Sequence, residues 1–578
     1  MRKIKRNIIA ASYWLLVVGL LFYTRFVGLD WGLPYPMHPD ERNMANTIQR
    51  LSCELQNQKF EIQNCFNPHF FAYGQFPLYL GYFLIWIYRG FSDFGKMIIF
   101  FEEATLALRV ISAMALILSA IIVIKVIKVI TGIKKEKIWW WLMVIFSPFF
   151  IQFSHFGTTE ALLMFFYLLL IYLGLLFLDQ KIDLLYFLKV SAIVSGLALA
   201  TKVSSLIFLV LPLLIIFFIS KETFVKKIFL LGYFFSLSLI VAVIFSPHNF
   251  ISWPDFYSTF KYERAVALGE IKTFYTKQFD YSLPIVFQLI KVIPAAMGFV
   301  SLISFIGFIR FIGKKKTDKK IIFLFRAFLI YFLPNAVIYA KWTRFLAPVF
   351  PIILIFGIIF LEKIKVIKVI KIIIVILGIL PGIAYLSIYQ NPDIRFQASE
   401  WIFKNIPENS YILSETANVI DIPIISQKLP SDSEGKSQKL LEKNLQIISF
   451  NFYDLDQNET LQKDLIYHLN RADYIFVPSR RIFANYTCFW PEKRNNFLDN
   501  LSYEKNRCDK LRKEFPKLNQ YYQNLFSGRL GFEKVAEFSS SPKISFFGKR
   551  LFEFSDEQTE ETWTVFDHPV IRIYKRDK

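Results

Sequence analysis

Residues 8–27 read IIAASYWLLVVGLLFYTRFV, and residues 38–41 follow as His-Pro-Asp-Glu. The first stretch is about 20 mostly apolar residues, the length an α-helix needs to cross a bilayer. Its basic start, Arg2 to Arg6, would suit a secretory leader, but no small-residue cleavage site follows. The stretch therefore reads as a retained first helix. Two adjacent acids at a membrane surface are costly to desolvate and seldom incidental. A base for an enzymatic reaction is expected at Asp40-Glu41.

The rest of the chain extends the membrane reading. It is 54% hydrophobic and 18% aromatic, with Phe alone contributing 64 of 578 residues, which excludes an ordinary soluble protein of this size. A formal charge of +21 could suggest nucleic acid. Its distribution argues against that partner. Lys and Arg cluster in short breaks between apolar segments, at Arg2–Arg6, Lys125–Lys137, Lys221–Lys227, Arg310–Lys320 and Lys363–Lys371. Placing all of these on the cytoplasmic side satisfies the positive-inside rule, with Asp179–Asp183 as a nearly neutral exception.

That rule sets 11 spans, at 8–27, 104–124, 138–154, 160–178, 184–200, 203–219, 228–247, 284–309, 321–339, 345–361 and 366–388. The N-terminus is then cytoplasmic and the C-terminus extracytoplasmic. The apolar stretch Phe76 to Tyr88 is short, and counting it as a span would invert every later loop, so it reads as interfacial or re-entrant. Lys-Val-Ile repeats near Lys125 and Lys365 put lysines three apart at inner helix ends, where they can snorkel to anionic headgroups of the membrane lipids.

Two domains follow: a multi-pass membrane domain at 1–390 and a soluble extracytoplasmic α/β domain at 391–578. In the second, Ile394–Ile406 has helical spacing, and runs beginning at Tyr411, Gln446, Tyr474 and Val570 read as strands. Asp432–Lys443 reads as a polar loop leading into a helix. Gly528–Gly531 and Asp567-His568-Pro569 read as turns. Cys53 and Cys65 fall in the first outer loop, Cys488 and Cys508 in the C-terminal region, and none in a span or inner loop. Two local disulfides on an oxidising face would explain this, although spacing alone does not fix connectivity.

With this topology the polar residues collect on the outer side. Asp40 and Glu41 lie in the first outer loop. Ser154-His155-Phe-Gly-Thr-Thr-Glu160, Thr201-Lys202 and Lys341-Trp-Thr-Arg344 form tight turns, and His248-Asn249 opens a long loop. Cations there could hold a lipid-borne phosphate at headgroup depth, while a carboxylate activates an incoming hydroxyl. Each residue also has a plainer reading. Asp40, Glu41 and Glu160 could cap helices through the dipole; Lys202 and Arg344 could anchor at the interface; His155 could pack among aromatics; Arg109 reads as structural, pairing with a loop acid.

In these elements, taken in order, the sequence resembles the GT-C superfamily of membrane glycosyltransferases, and within it the protein mannosyltransferase and aminoarabinose transferase branch. They are Asp40-Glu41, Ala107-Leu-Arg109-Val-Ile-Ser-Ala113, Ser154–Glu160, Gly196-Leu-Ala-Leu-Ala-Thr-Lys202 and the Lys341/Arg344 turn before Pro348. Asp393–Trp401, Leu525–Phe532 and Phe566–Pro569 add to the likeness in the outer domain. The resemblance implies transfer of a hexosyl or pentosyl group from a polyprenyl-phosphate donor to a protein, lipid or glycan hydroxyl on the outer face of the plasma membrane. It implies Asp40 as the catalytic base, with Glu41 and Glu160 holding acceptor, sugar or a divalent metal ion, whose use stays open. It implies Lys202, Lys341 and Arg344 as donor-phosphate ligands, with His155 and His248 as weaker candidates for phosphate or metal. The alternative reading is a transporter or flippase of lipid-linked sugars. It would favour a midplane site and internal repeats, which the sequence does not show.

Overall fold

The computed structural model describes residues 2–53, 64–91, 95, 97–312, 318–415, 422–423, 444–491 and 502–577. The chain is a multi-pass α-helical membrane protein with a C-terminal α/β region. Among the described residues, seven helices are long and apolar enough to cross a bilayer, or nine if each of two bent pairs is one span. The shorter apolar helices Ser12–Phe26 and Val203–Ile219 occupy the two remaining predicted spans. Phe76–Tyr88 forms a helix of 13 residues. At 1.5 Å per residue it reaches about 20 Å, short of the hydrocarbon thickness.

Several boundaries differ from the sequence reading. The helix beginning at Phe101 continues to Thr131, so Lys125 and Lys128 lie inside it. Gly132, at φ +74°, ends it in the left-handed conformation that glycine adopts without strain. The segment predicted as one span at 138–154 is Ile138–Ile145 and Pro148–His155, bent by 49° ahead of Pro148. The one predicted at 284–309 is broken more sharply, with Gln288–Met297 and Val300–Phe311 meeting at 115°. Pro294 opens the short helical turn before the break. Gly298 makes the break at φ +56°, packed so closely on Pro381 that an added Cβ would collide with its ring.

Four of the charged breaks, around Lys137, Asp179, Lys320 and Lys371, meet at one end of the bundle. Lys128 pairs with Glu136 at 2.7 Å, Lys137 with Glu362, and Lys181 with Asp179 at 2.8 Å. Lys320 reaches both Asp179 and the Val129 carbonyl. The near-neutral Asp179 loop thus belongs with the cationic ones, its acid matched by lysines from two segments.

The C-terminal region has a five-stranded sheet in the order β2-β1-β3-β7-β4. The strands are β1 Tyr411–Glu415, β2 Gln446–Phe450, β3 Tyr474–Val477, β4 Phe532–Phe538 and β7 Ile571–Arg576. β1 pairs in parallel with β2 and β3, and β7 runs antiparallel between β3 and β4. Side-chain alternation splits two cores across it. Ile412, Tyr474, Phe476, Ile571 and Ile573 face the helix Ile394–Asn405. Leu413, Ile475, Val477 and Tyr574 face the helices Ser502–Glu514 and Pro516–Phe526. β4 and the separate hairpin of β5 (Lys543–Phe546) and β6 (Lys549–Glu553) are strands that the sequence reading lacks. The predicted loop 432–443 lies outside the described residues. Gly528 and Gly531 both turn at positive φ. Cys53–Cys65 and Cys488–Cys508 are disulfides.

Candidate active site

Chain geometry after the first helix sets the site. His38 caps the helix Pro39–Arg50, its Nδ1 accepting from the Glu41 N–H at 3.5 Å, and Pro39 occupies the first helical position. Asp40 and Glu41 therefore fall in the first turn, where the helix dipole favours anions. Burial, and then the Arg344 charge, hold His38 well below its ordinary pKa, so it is a neutral cap. Its ring packs between Phe156 and Phe566.

One turn of helix sends the two adjacent acids to different surroundings. Glu41 is buried and saturated: Arg109 donates from Nε and Nη2 at 2.7 Å each, and the Gly157 N–H donates at 2.7 Å. Arg109 also donates to the Leu29 and Trp31 carbonyls and lies over the Trp31 ring. Glu41, an expected site residue, is thus held by Arg109 and the Gly157 N–H, not by Arg344. Its lone pairs are spent on tying the first loop, the helix Phe101–Thr131 and the Phe156–Thr159 turn together. Asp40 forms an ion pair with Arg344, and both side chains keep about a fifth of their surface exposed, 19% and 20%.

Other predicted residues divide the same way. Lys202 donates to Glu160 Oε1 at 3.1 Å and lies over the Tyr73 and Phe345 rings. Glu160 begins a helix, so its capping position and its pairing with Lys202 coexist. Lys341 donates to the Tyr339 carbonyl at 2.9 Å and lies near the Phe279 ring. Burial lowers its pKa to about 8, and Asp280 opposes that shift. Lys341 thus belongs to the Phe274–Asp280 loop, not to the Asp40–Arg344 pair.

The two histidines, expected as further site residues, both face backbone carbonyls. His155 is fully buried, its Nδ1 and Nε2 facing the Ile151 and Val27 carbonyls at 2.7 and 2.8 Å, and its ring stacks on Tyr389 at 3.7 Å. His248 faces the Cys65 carbonyl through Nε2 at 2.9 Å. Both rings fix backbone segments and neither faces the Asp40–Arg344 pair.

A small cavity adjoins that pair, lined among others by His38, Thr158, Glu160, Thr343, Arg344 and Thr562. Thr562 comes from the C-terminal region, which the sequence suggests shapes the acceptor cleft or contacts a partner, without naming a residue for it. Glu560 accepts from Gln278 at 2.7 Å and from the Thr343 N–H at 3.0 Å, next to Arg344. Glu561 pairs with Arg481 at 2.7 Å. Further along, His568 lies between Asp567 at 2.6 Å and Asp556 at 3.1 Å. Asp567 accepts from Tyr389 at 2.7 Å, Tyr385 at 3.1 Å and Gln152 at 3.3 Å. Residues 556–568 are therefore a strap of the α/β region fastened to the membrane helices around the cavity. Only Asp567-His568-Pro569 drew attention in the sequence; it is a turn, and also a buried ionic clamp.

A divalent ion does not fit the acids as arranged. Asp40, Glu41 and Glu160 each hold a cationic side chain, and among the described residues no three His, Cys, Asp or Glu groups converge to hold a metal.

Comparison with known proteins bears on the membrane region. Curated protein sequences give no match. Two solved structures of ArnT from Cupriavidus metallidurans are similar. One, bound to undecaprenyl phosphate, is 13% identical with a TM-score of 0.39, covering 68% of this chain and 72% of that one. The apo form is 15% identical with a TM-score of 0.40, covering 69% and 66%. Residues 86–249, which include Arg109, Glu160 and Lys202 but not Asp40 or Arg344, match the family model for dolichyl-phosphate-mannose-protein mannosyltransferase. That match lies within the multi-pass helix bundle and covers less than a third of the chain.

Proposed function

We propose that the chain transfers a sugar from a polyprenyl-phosphate donor to an acceptor hydroxyl at the extracytoplasmic face, with 1–390 as the transferase domain and 391–578 as an outer domain. The observation that carries this reading is the Asp40–Arg344 pair, a partly accessible carboxylate and guanidinium beside a cavity that Glu160 also lines. Lys202, paired with Glu160, adds a second cation. Donor phosphate on Arg344 would compete with Asp40 for the guanidinium and leave the carboxylate free to take a proton. Asp40 then accepts the acceptor's hydroxyl proton, and that oxygen bonds to the anomeric carbon. The bond from that carbon to the phosphate oxygen breaks, and its electrons leave with the lipid phosphate. Arg344 and Lys202 stabilise the departing charge.

The orientation rests on the clustering of cationic breaks at the opposite end of the bundle, which the positive-inside rule assigns to the cytoplasm. The carrier reading has less support: the sharply broken helix pair around Gly298 has no charged side chain between Ile293 and Val300 to hold a substrate at the break. The test is incubation of purified protein with polyprenyl-phosphate hexoses and pentoses and a cell-envelope acceptor fraction. Release of polyprenyl phosphate coupled to labelled acceptor is expected. Movement of intact lipid-linked sugar across vesicles without release would support a carrier instead.

A further inference from the structure

The β5–β6 hairpin stands apart from the five-stranded sheet and has no place in the proposed chemistry. Its turn, Phe547-Gly548, has φ of +47° and +75°, the tight two-residue form whose twist matches a hairpin. The hairpin exposes apolar side chains. Phe547 is 91% and Phe546 63% accessible, and Leu551 and Phe552 are also exposed. Leaving such side chains in water forgoes the gain of burying them, and contiguous apolar patches mark a surface that something covers.

Position and charge identify the cover. The hairpin begins where a membrane helix ends: the Lys543 N–H donates to Ser387 Oγ at 3.2 Å, one residue beyond the span Lys368–Leu386, and β5 packs on that helix. The same helix exposes Ile372, Ile373, Ile376 and Leu377, the face of a span turned to lipid. Lys543, Lys549 and Arg550 surround the aromatic residues, and one acid, Glu553, pairs with Arg550. Aromatic side chains with basic neighbours at the end of a span suit the interfacial layer and its anionic headgroups.

We propose that residues 543–553 form a membrane anchor: the hairpin inserts Phe546, Phe547, Leu551 and Phe552 into the headgroup layer beside the helix Lys368–Leu386. The α/β region then grips the bilayer directly as well as through its covalent link. The strap at 556–568 begins three residues after the hairpin, so the anchor also sets where the strap enters the bundle.

The test uses the full chain with Phe547→Cys, and separately Leu551→Cys, labelled with an environment-sensitive fluorophore. All cysteines among the described residues are in disulfides, so the label is site-specific. Reconstitution is in nanodiscs of phosphatidylcholine and phosphatidylglycerol, with Lys463→Cys on an exposed helix as the reference in water. Both hairpin labels should show blue-shifted emission and lose intensity with lipids carrying a nitroxide near the headgroup. Emission like that of the Lys463 label, without lipid quenching, would overturn the proposal. So would a blue shift without lipid quenching, which would put a protein surface over the hairpin.

Discussion

Arg109 grips Glu41 through two hydrogen bonds of 2.7 Å in a site that excludes water from both side chains. The pair joins the loop after the first helix to the Gly157 turn. Removing one partner of such a pair strands the other as a buried charge and costs about 3–5 kcal/mol. Arg109→Met should therefore lower thermal stability steeply in detergent. Arg109→Met with Glu41→Gln should recover part of the loss, because no charge is left unpaired. A neutral single replacement would remove this account of the pair.

The cations near the site are not equivalent. Arg344 meets Asp40 directly, whereas Lys341 is held by the Tyr339 carbonyl beside the Asp280 loop. Arg344→Lys loses the planar fork that matches phosphate, and losing an electrostatic stabiliser of this kind lowers turnover about 10²–10³-fold. Lys341→Met should reduce transfer far less. Steady-state kinetics of both variants check this ordering; equal losses would place Lys341 in direct contact with donor.

The Asp567–His568–Asp556 clamp makes a pH prediction. Burial pulls the His568 pKa down, but Asp567 and Asp556 outweigh it and raise it to about 10 from 6.5. A raised folded pKa gives stability that is complete below about 6.5 and fades as pH rises towards 10. Burial pushes Asp567 up, but His568 outweighs it and leaves the group below its ordinary value of 3.8. That contribution is present above the ordinary value and fades as pH falls below it. The wild-type melting temperature should decline between pH 6.5 and 10, and His568→Gln should flatten that slope. Parallel slopes in the two proteins would exclude the clamp as the cause.

The disulfides should matter to folding. Cys53–Cys65 and Cys488–Cys508 close loops with sequence separations of 12 and 20 residues, and a loop of such length contributes about 3 kcal/mol in the chain-entropy model. Peptide mapping without reduction should recover these two pairings, and reductant should lower the melting temperature. Free thiols at all four positions would contradict the pairings.

The helices were legible in the sequence because each must satisfy its own backbone within about 20 apolar residues, a signal that is local. The breaks at Pro148 and Gly298 were not, since a bend depends on the neighbour it packs against, as Gly298 does on Pro381. Asp40, Glu160, Lys202 and Arg344 stand out in the sequence as polar residues in turns on one face. Separating Asp40 from Glu41 needed Arg109, 68 residues further along the chain. Glu560 and Thr562 were missed because their partners, Gln278, Thr343 and the cavity, lie more than 200 residues away. In the sequence, Asp-Glu-Gln-Thr-Glu-Glu resembles an ordinary solvated loop. β4 was missed because Phe532, Ala536 and Phe538 face partners supplied only by the fold, and the hairpin strands because none of their residues is buried.

In the proposed reaction Asp40 takes the acceptor proton. The direct measurement compares wild-type protein with Asp40→Asn, both reconstituted with the polyprenyl-phosphate sugar that the wild type uses, following polyprenyl phosphate release and acceptor labelling. The amide keeps the shape and a hydrogen bond to Arg344 but cannot take the proton. The expected result is loss of transfer by at least about 10²-fold with an unchanged melting temperature. Transfer by Asp40→Asn at the wild-type rate would contradict the claim.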